Sequence, residues 1–184
     1  MKTVVLWAID SDEGRRALER SLEAREGSAR WIDLNQVEFG PCVGCGGCAK
    51  TGRCVLDDEF TDIVAAIGGS DRLVLVTPIF LGVHHPLMKK AIDRFLPLAG
   101  ERFAVRSGEM HHTSRMATPF AIVGVGVLPE AASNGEAETF ARLIARHAVN
   151  LAAPSHASII VRRGAWDGVA EEIPEALDRT ERAR

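Results

Sequence analysis

The sequence lacks a long apolar run, an excess of basic residues and the short motifs of the common hydrolases and nucleotide-binding enzymes. A membrane-spanning helix needs about 18 or more consecutive apolar residues, and no stretch approaches that length. The net charge is −3, which leaves no broad positive field for nucleic acid or an anionic membrane surface. No G-x-S-x-G elbow, Ser-His-Asp arrangement or P-loop is present, so we assign no catalytic side chain. Chemistry carried by a cofactor fits these absences.

The first residues do not have the pattern of a targeting segment. The stretch "MKTVVLWAID" has one lysine and a short apolar run that ends at Asp10, with no cleavage site of small residues after it. We therefore expect a cytoplasmic protein, in which thiols stay reduced.

Cysteine is absent from the whole chain except for one segment. The stretch "PCVGCGGCAKTGRC", residues 41–54, contains all four, Cys42, Cys45, Cys48 and Cys54, spaced C-x2-C-x2-C-x5-C. Three glycines stand between the first and third cysteines and give the backbone freedom to wrap tightly. In a reducing compartment, clustered cysteines indicate metal binding or redox chemistry rather than a disulfide.

Four interpretations of this segment are open. A [4Fe–4S] cluster takes four thiolates, and bacterial ferredoxins use a similar C-x2-C-x2-C run. Structural zinc also takes four ligands, but usually as two separated pairs. A dithiol redox centre needs only C-x-x-C, and four free thiols in a loop are the plainest reading. The two overlapping C-x2-C steps favour the cluster over zinc.

Apolar runs of strand length alternate with amphipathic segments along the chain, which predicts parallel βαβ units and an α/β, doubly wound, five-stranded parallel sheet. A length of 184 residues fits a single domain, 1–184, with a cysteine-rich loop at 41–56. The predicted strands are 3–9, 29–35, 72–80, 119–127 and 156–164. The predicted helices are 10–27, with Gly27 as the stop, 57–69, 86–95, 136–150 and 167–183, the last interrupted near Pro174. Residues 97–117 are a long connection.

Ligands of such sheets bind beyond the carboxyl ends of the strands, where the strand order reverses. We expect the loops 10–14, 78–85 and 126–135 to meet there, with the cysteine loop emerging at the same edge.

Two short stretches at these ends are candidates for contact with a ligand. In "TPIFLG", residues 77–82, backbone amides can face a flat heterocycle and Phe80 can stack on it; the alternative is a plain strand-to-helix connection. In "GVGV", Gly124 and Gly126 allow a close approach of the backbone to a ligand or to a neighbouring element.

The order "PCVGCGGCAKTGRCVLDDEF…IVAAIGGSDRLVLVTPIFLGVHHPLMKKAIDRFLPL" resembles the flavodoxin-like NAD(P)H-dependent FMN reductases, above all their iron–sulfur flavoprotein branch. The resemblance covers about residues 1–130 and is closest over 41–98. It implies a flavodoxin-like sheet of order 2-1-3-4-5, FMN at the carboxyl ends of the strands and a [4Fe–4S] cluster in the cysteine motif. By position, the cluster ligands are Cys42, Cys45, Cys48 and Cys54. The loop that holds the isoalloxazine ring is Thr77, Pro78, Ile79, Phe80, Leu81 and Gly82, with Phe80 where the family more often has tyrosine.

The loop after the first strand departs from the family pattern. Its members have a loop rich in Ser, Thr, Asn and Gly that holds the FMN phosphate at a helix N-terminus. Here the place reads "AIDSDEGRRA", in which Ser11 and Gly14 are the matching contacts. Asp10, Asp12 and Glu13 repel a phosphate dianion, so we expect weak FMN binding.

The resemblance also implies partners. NAD(P)H is the expected reductant, with a small molecule or a redox protein as the other electron donor or acceptor, and no nucleic acid or membrane. Relatives are dimers or tetramers, so we expect a homo-oligomer. Two other functions stay open: a non-enzymatic metal-binding module on the same fold, and a thiol-dependent reductase without metal.

The remaining candidates are weaker. The histidines in "VHHP" and "MHHT" are adjacent in sequence, which points the rings of each pair apart and makes joint metal ligation awkward, although His84 and His85 follow the flavin loop. Arg115 can meet a phosphate or a nicotinamide cofactor, or it is a solvated loop residue.

Overall fold

The structure, a computed structural model, describes residues 1–26, 29–162 and 165–182. Gly27, residues 163 and 164 of the last predicted strand and residue 183 of the last predicted helix lie outside the described residues. The strands are β1 (Thr3–Trp7), β2 (Arg30–Asp33), β3 (Arg72–Phe80), β4 (Val83–His84), β5 (Ala99–Arg106), β6 (Glu109–Ser114), β7 (Ala121–Leu128) and β8 (His156–Arg162). The helices are α1 (Asp12–Glu26), α2 (Gly47–Thr51), α3 (Phe60–Gly68), α4 (Pro86–Asp93), α5 (Asn134–Asn150) and α6 (Val169–Arg182), with a 3₁₀ turn at Leu96–Leu98.

The apolar runs form the centre of a parallel sheet. All of β1 is buried, as are the first six residues of β3 and of β7, because helices cover both faces of these strands. The strand order is β2-β1-β3-β7-β8, with every neighbouring pair parallel. Numbering these five strands alone gives 2-1-3-4-5, so the predicted flavodoxin-like α/β fold is confirmed.

The helices divide between the two faces and bury a core on each. Helices α3, α4 and α5 cover one face with Ile63, Val64, Ile67, Met88, Ala91, Phe140 and Ile144. Helices α1 and α6 cover the other with Ala17, Leu18, Leu22, Val169, Ile173, Ala176 and Leu177. In the part of the chain that the structure describes, no helix is long and apolar enough to cross a membrane.

Three parts of the chain differ from the sequence prediction. The connection 97–117 contains the antiparallel hairpin β5–β6, whose turn has left-handed φ angles of 50° at Ser107 and 79° at Gly108. The cysteine loop contains the short helix α2. Helix α6 continues through Pro174, because burial of Ile173 and Leu177 along one face offsets the lost backbone hydrogen bond.

Candidate functional site

A cavity of about 540 Å³ opens at the carboxyl ends of β1, β3 and β7. The strand order reverses between β1 and β3, since the chain runs outward from β1 to β2 before it returns to β3. The three predicted loops do meet here. The lining residues are Ile9, Asp10, Ser11, Glu13, Pro78, Ile79, Phe80, His85, Val127, Leu128, Pro129 and Trp166. Trp166 was not expected, because it follows the last strand in a segment without a motif.

The turn between β3 and β4 presents Phe80 at the edge of this cavity. Leu81 and Gly82 form the tip with positive φ angles of 52° and 80°, the geometry of a two-residue hairpin. Phe80 is 63% exposed, so its ring is available for stacking. Thr77 is buried beneath the turn, where its Oγ1 donates to the Pro78 carbonyl at 3.0 Å and accepts from the His85 N–H at 3.2 Å. Pro78, Ile79 and Phe80 therefore face the cavity, and Thr77, Leu81 and Gly82 shape the turn.

The N-terminus of α1 forms the opposite wall. Ser11 caps the helix, since its Oγ accepts from the Gly14 N–H at 3.1 Å. Gly14 makes room for Trp166, because a Cβ at Gly14 would lie 2.5 Å from the indole ring. The exposed side chains of Asp10 and Glu13 complete this wall and make it acidic. The predicted phosphate contacts at Ser11 and Gly14 thus have local structural roles, and their contact with a ligand stays a prediction.

Gly124 and Gly126 lie under helix α5 in the core. A Cβ at Gly124 would stand 2.4 Å from Ile144 Cδ1, and one at Gly126 would stand 2.5 Å from Ile79 Cδ1 and 2.7 Å from Phe140 Cε1. Both glycines therefore allow α5 and the β3 end to lie close to β7. Of the two interpretations of "GVGV", the structure supports contact with neighbouring elements.

The four cysteines lie on a wrapped loop and are free thiols. Cys48 is buried, Cys42 and Cys54 are half-buried and Cys45 is exposed. Burial raises the pKa of Cys48, and the nearby Cys54, Cys42 and Cys45 raise it further. The loop has three left-handed glycines, Gly44 with φ 65°, Gly46 with φ 70° and Gly52 with φ 71°. The segment thus brings the thiols close enough for their charges to interact.

The donor set fits a metal centre, although the thiols are not gathered around one point. Among residues 1–26, 29–162 and 165–182, no group of three or more His, Cys, Asp or Glu is placed to hold a metal ion. A Cβ at Gly44 or Gly46 would meet nothing within 4 Å, so open space lies beside the segment at both glycines. Four uncommitted thiols with this spacing are the ligands that an iron–sulfur cluster requires.

A buried ion pair fixes both ends of the cysteine segment. Arg94 follows α4, and its two Nη atoms donate to the Asp58 carboxylate at 2.8 and 2.9 Å. Gly40 is held from both sides, since its carbonyl accepts from Arg94 at 2.8 Å and its N–H donates to Asp58 at 3.0 Å. The hydrogen bond from Arg94 lowers the pKa of Asp58 despite burial. Asp58 is also the main cause that raises the pKa of Arg94, and the nearby Cys54 contributes.

A second arginine ties the same segment to the hairpin. Arg115 donates to the Ala99 carbonyl at 2.8 Å and also to the Ala49 carbonyl in α2. Arg115 is exposed and joins backbone segments at one end of the hairpin, and its contact with a phosphate or a nicotinamide cofactor stays a prediction.

His84 and His85 point in different directions, as expected from their adjacency. His85 lines the cavity, and its Nδ1 accepts from the Leu87 N–H at 3.4 Å at the start of α4. His84 is buried, with its Nε2 2.8 Å from Nε2 of His147 in α5. Burial lowers the pKa of His84 to about 3 and that of His147 to about 4, so both rings are neutral near pH 7. This pair was not predicted, because its members are 63 residues apart.

The cysteine segment borders a second cavity of about 620 Å³ rather than the cavity at the strand ends. This second cavity lies between α4, the hairpin and α5. Its lining includes Cys42, Gly44, Lys89, Asp93, Phe103, Met110, His111, His112 and His147. Helix α4 stands between the two cavities, because His85 at its start faces one and Lys89 faces the other.

Comparison with known proteins identifies the family. The family model described as NADPH-dependent FMN reductase matches residues 14–158. The match covers most of the chain, so the chain belongs to the NADPH-dependent FMN reductase family, as the resemblance implied.

Two curated proteins and one solved structure are similar to this chain. An iron–sulfur flavoprotein from Methanosarcina thermophila is 27% identical over 76 residues, 41% of this chain and 40% of that protein. One from Methanocaldococcus jannaschii is 32% identical over 76 residues, 41% of this chain and 39% of that protein. The chain therefore spans about two fifths of the length of these curated relatives. An NAD(P)H:quinone oxidoreductase from Methanothermobacter marburgensis has the same fold, with a TM-score of 0.66 at 15% identity over 100% of this chain and 96% of that one.

We predict that Gly126→Ala lowers the free energy of unfolding by about 1–3 kcal/mol, because the added methyl overlaps Ile79 and Phe140. Gly135→Ala is the matched control, since a Cβ there lies 3.7 Å from Ser133 Oγ and a helical alanine is favourable. Urea denaturation of both variants measures the difference. Equal stability of the two variants would contradict the close contact under α5.

We predict that Arg94→Met lowers the free energy of unfolding by about 2–4 kcal/mol near pH 7, since Asp58 loses its buried partner. The control is Lys89→Met, which breaks the exposed Lys89–Asp93 pair and should cost less than about 1 kcal/mol.

The contribution of the Arg94–Asp58 pair depends on pH. Folding lowers the pKa of Asp58, so the pair stabilises the fold at pH values above the unfolded-state pKa of about 3.9. The stabilisation disappears as the pH falls through the lower folded-state pKa.

Urea denaturation from pH 3 to pH 8 tests this pair. The difference between the parent and Arg94→Met should be constant above about pH 5 and shrink below about pH 4. A difference that does not change with pH, or that matches the Lys89→Met control, would refute the role given to the pair.

Proposed function

We propose that the chain is a flavin-dependent oxidoreductase that passes electrons between a flavin in the strand-end cavity and a [4Fe–4S] cluster held by Cys42, Cys45, Cys48 and Cys54. The proposal rests on one observation: this chain of the FMN reductase family has a cavity at the strand ends and also four free thiols on a glycine-rich loop. Two similar proteins are named iron–sulfur flavoproteins, which supports the proposal that one chain holds both a flavin and a cluster.

The cavity suits the ring system of a flavin. Its wall of Pro78, Ile79, Val127, Leu128 and Trp166 is apolar, which excludes water from a flat heterocycle. The exposed Phe80 ring can cover one face of the ligand, and the two-residue turn fixes its position. When bound, the flavin supplies hydride acceptance and one-electron transfer, so the protein has only to position it.

His85 is the histidine in the described lining of this cavity. Its Nδ1 accepts from the Leu87 N–H, so a neutral His85 carries its proton on Nε2. The Nε2–H can donate a hydrogen bond to an acceptor atom in the cavity. This is the contribution that we assign to His85 in orienting a ligand.

The cysteine segment supplies thiolates for the cluster. A raised pKa keeps Cys48 protonated near neutral pH, so ligation displaces a proton from it. Asp58 and Arg94 hold the ends of the segment, and the left-handed glycines let it close around a centre.

We also propose an electron donor and an oligomeric state. A nicotinamide cofactor is the proposed reductant, which rests on the description of the family, and a small molecule or redox protein is the acceptor. We also propose a dimer or tetramer. The exposed apolar side chains of Phe80, Leu81 and Val83 beside the cavity support it, since such patches commonly mark contact surfaces.

A second candidate is a metal-binding module that has no flavin. The observation that favours it is the pair of carboxylates, Asp10 and Glu13, in the cavity wall where a flavin phosphate would approach.

We predict about four iron and matching sulfide per chain after anaerobic purification, with a broad blue–violet absorbance that dithionite bleaches, because four thiolates hold one cluster. Cys45→Ser should lose most of the band. Val43→Ser, between Cys42 and Cys45 and exposed, should keep it. Iron, zinc and sulfide assays with visible spectra measure the outcome. Stoichiometric zinc without iron or sulfide would replace the cluster with a structural zinc site, and four titratable thiols without metal would favour a thiol-dependent reductase.

A further inference from the structure

We propose that the strand-end cavity prefers a flavin without the terminal phosphate, the riboflavin form, over FMN. The inference rests on the proposed flavin function and concerns which flavin the cavity selects. It depends on the acidic wall at the N-terminus of α1 and on the absence of lysine and arginine from the described lining.

Two carboxylates meet the end of the cavity where a phosphate would lie. Asp10 and Glu13 both line it, while its described lining contains no lysine or arginine. His85 is the sole base in that lining, and it stands at the start of α4 rather than beside Ser11. A phosphate monoester carries a charge of about −1.5 to −2 at neutral pH and is therefore repelled.

Two arginines, Arg15 in α1 and Arg162 beside the loop after β7, already make contacts within the protein. Arg15 lies on the ring of Trp31, with its guanidinium carbon 3.8 Å from the centroid, and pairs with Glu19 at 2.5 Å. Arg162 donates to the Glu130 and Ala132 carbonyls at 3.1 Å and to Asn134 at 3.0 Å. Recruiting either arginine to a phosphate would break contacts that it already makes.

One backbone amide at this helix N-terminus is also occupied. Ser11 Oγ accepts the Gly14 N–H as the helix cap, so this amide is not directed at a ligand. The indole of Trp166 covers the Cα side of Gly14 and closes the place where a ligand could approach it. Of the two predicted phosphate contacts, Gly14 is thus committed within the protein, and the Ser11 hydroxyl keeps only its proton to donate.

A phosphate-free flavin avoids each of these conflicts. Its ring meets the same apolar wall, and its ribityl hydroxyls are neutral and can donate hydrogen bonds to carboxylates such as Asp10 and Glu13. Since both carboxylates are exposed, the repulsion of FMN is screened, and we expect a preference for riboflavin on the order of tenfold at low salt.

The experiment is a fluorescence titration of the full chain with riboflavin and with FMN, at low and at high ionic strength. Riboflavin should bind more tightly, and the difference should shrink at high salt. The double variant Asp10→Asn/Glu13→Gln should tighten FMN on the order of tenfold and should not tighten riboflavin, whose hydroxyls lose charged acceptors. The control is Asp12→Asn. Asp12 was expected to repel the phosphate as well, but it lies outside the described cavity lining, so its loss should change the ratio less than about twofold.

The outcomes separate this inference from the function on which it rests. Tighter binding of FMN by the parent would overturn the preference and leave the flavin-dependent function standing. An equal response to Asp12→Asn and to the double variant would overturn the assignment to Asp10 and Glu13. No saturable binding of either flavin would overturn the proposed function and this inference together. Thermal melting of each variant confirms that it is folded.

Discussion

The position of the cysteine segment depends on the hydrogen bonds that the buried guanidinium of Arg94 donates. This guanidinium joins the end of α4 to Asp58, and through Asp58 and Gly40 it fixes the point where the chain enters the segment. Cys54, at the other end, lies beside the same arginine. An unpaired charge at this depth would be costly, so the buried Arg94 needs its contacts with Asp58 and Gly40. A flexible glycine-rich loop is thereby given two fixed ends.

The same reasoning explains where the two candidate centres lie. The reversal of strand order places one cavity at the ends of β1 and β3, while the cysteine segment follows the edge strand β2 and lies against α4 and the hairpin. Helix α4 therefore runs between the two candidate centres. His85 precedes the helix and lines the first cavity, and Arg94 follows it and lies beside Cys54. The close contact at Gly126 brings the β3 end against β7, and both strand ends line the first cavity.

Much of the fold could be predicted because central parallel strands such as Val74–Val76 are apolar on both faces, a pattern visible in the sequence itself. The hairpin could not be predicted in this way, because its apolar residues Phe103, Val105 and Met110 are exposed and do not pack in the core. At the site, the loops were predictable from topology. The roles of Trp166 and Arg94 were not predictable, because each acts through partners far away in sequence. The role of Gly126 was not predictable either, because a glycine in a strand allows close approach of a ligand as well as of a neighbouring element.

If NADPH is the reductant of the proposed oxidoreductase, its electrons enter at the flavin and pass from there to the cluster. Anaerobic stopped-flow mixing with NADPH tests this route most directly, with the flavin and cluster absorbance followed separately in flavin-loaded and flavin-free protein. The account predicts that the flavin band bleaches first, that the cluster band follows, and that flavin-free protein shows no cluster bleaching on this time scale. Cluster reduction at the same rate without flavin would contradict it.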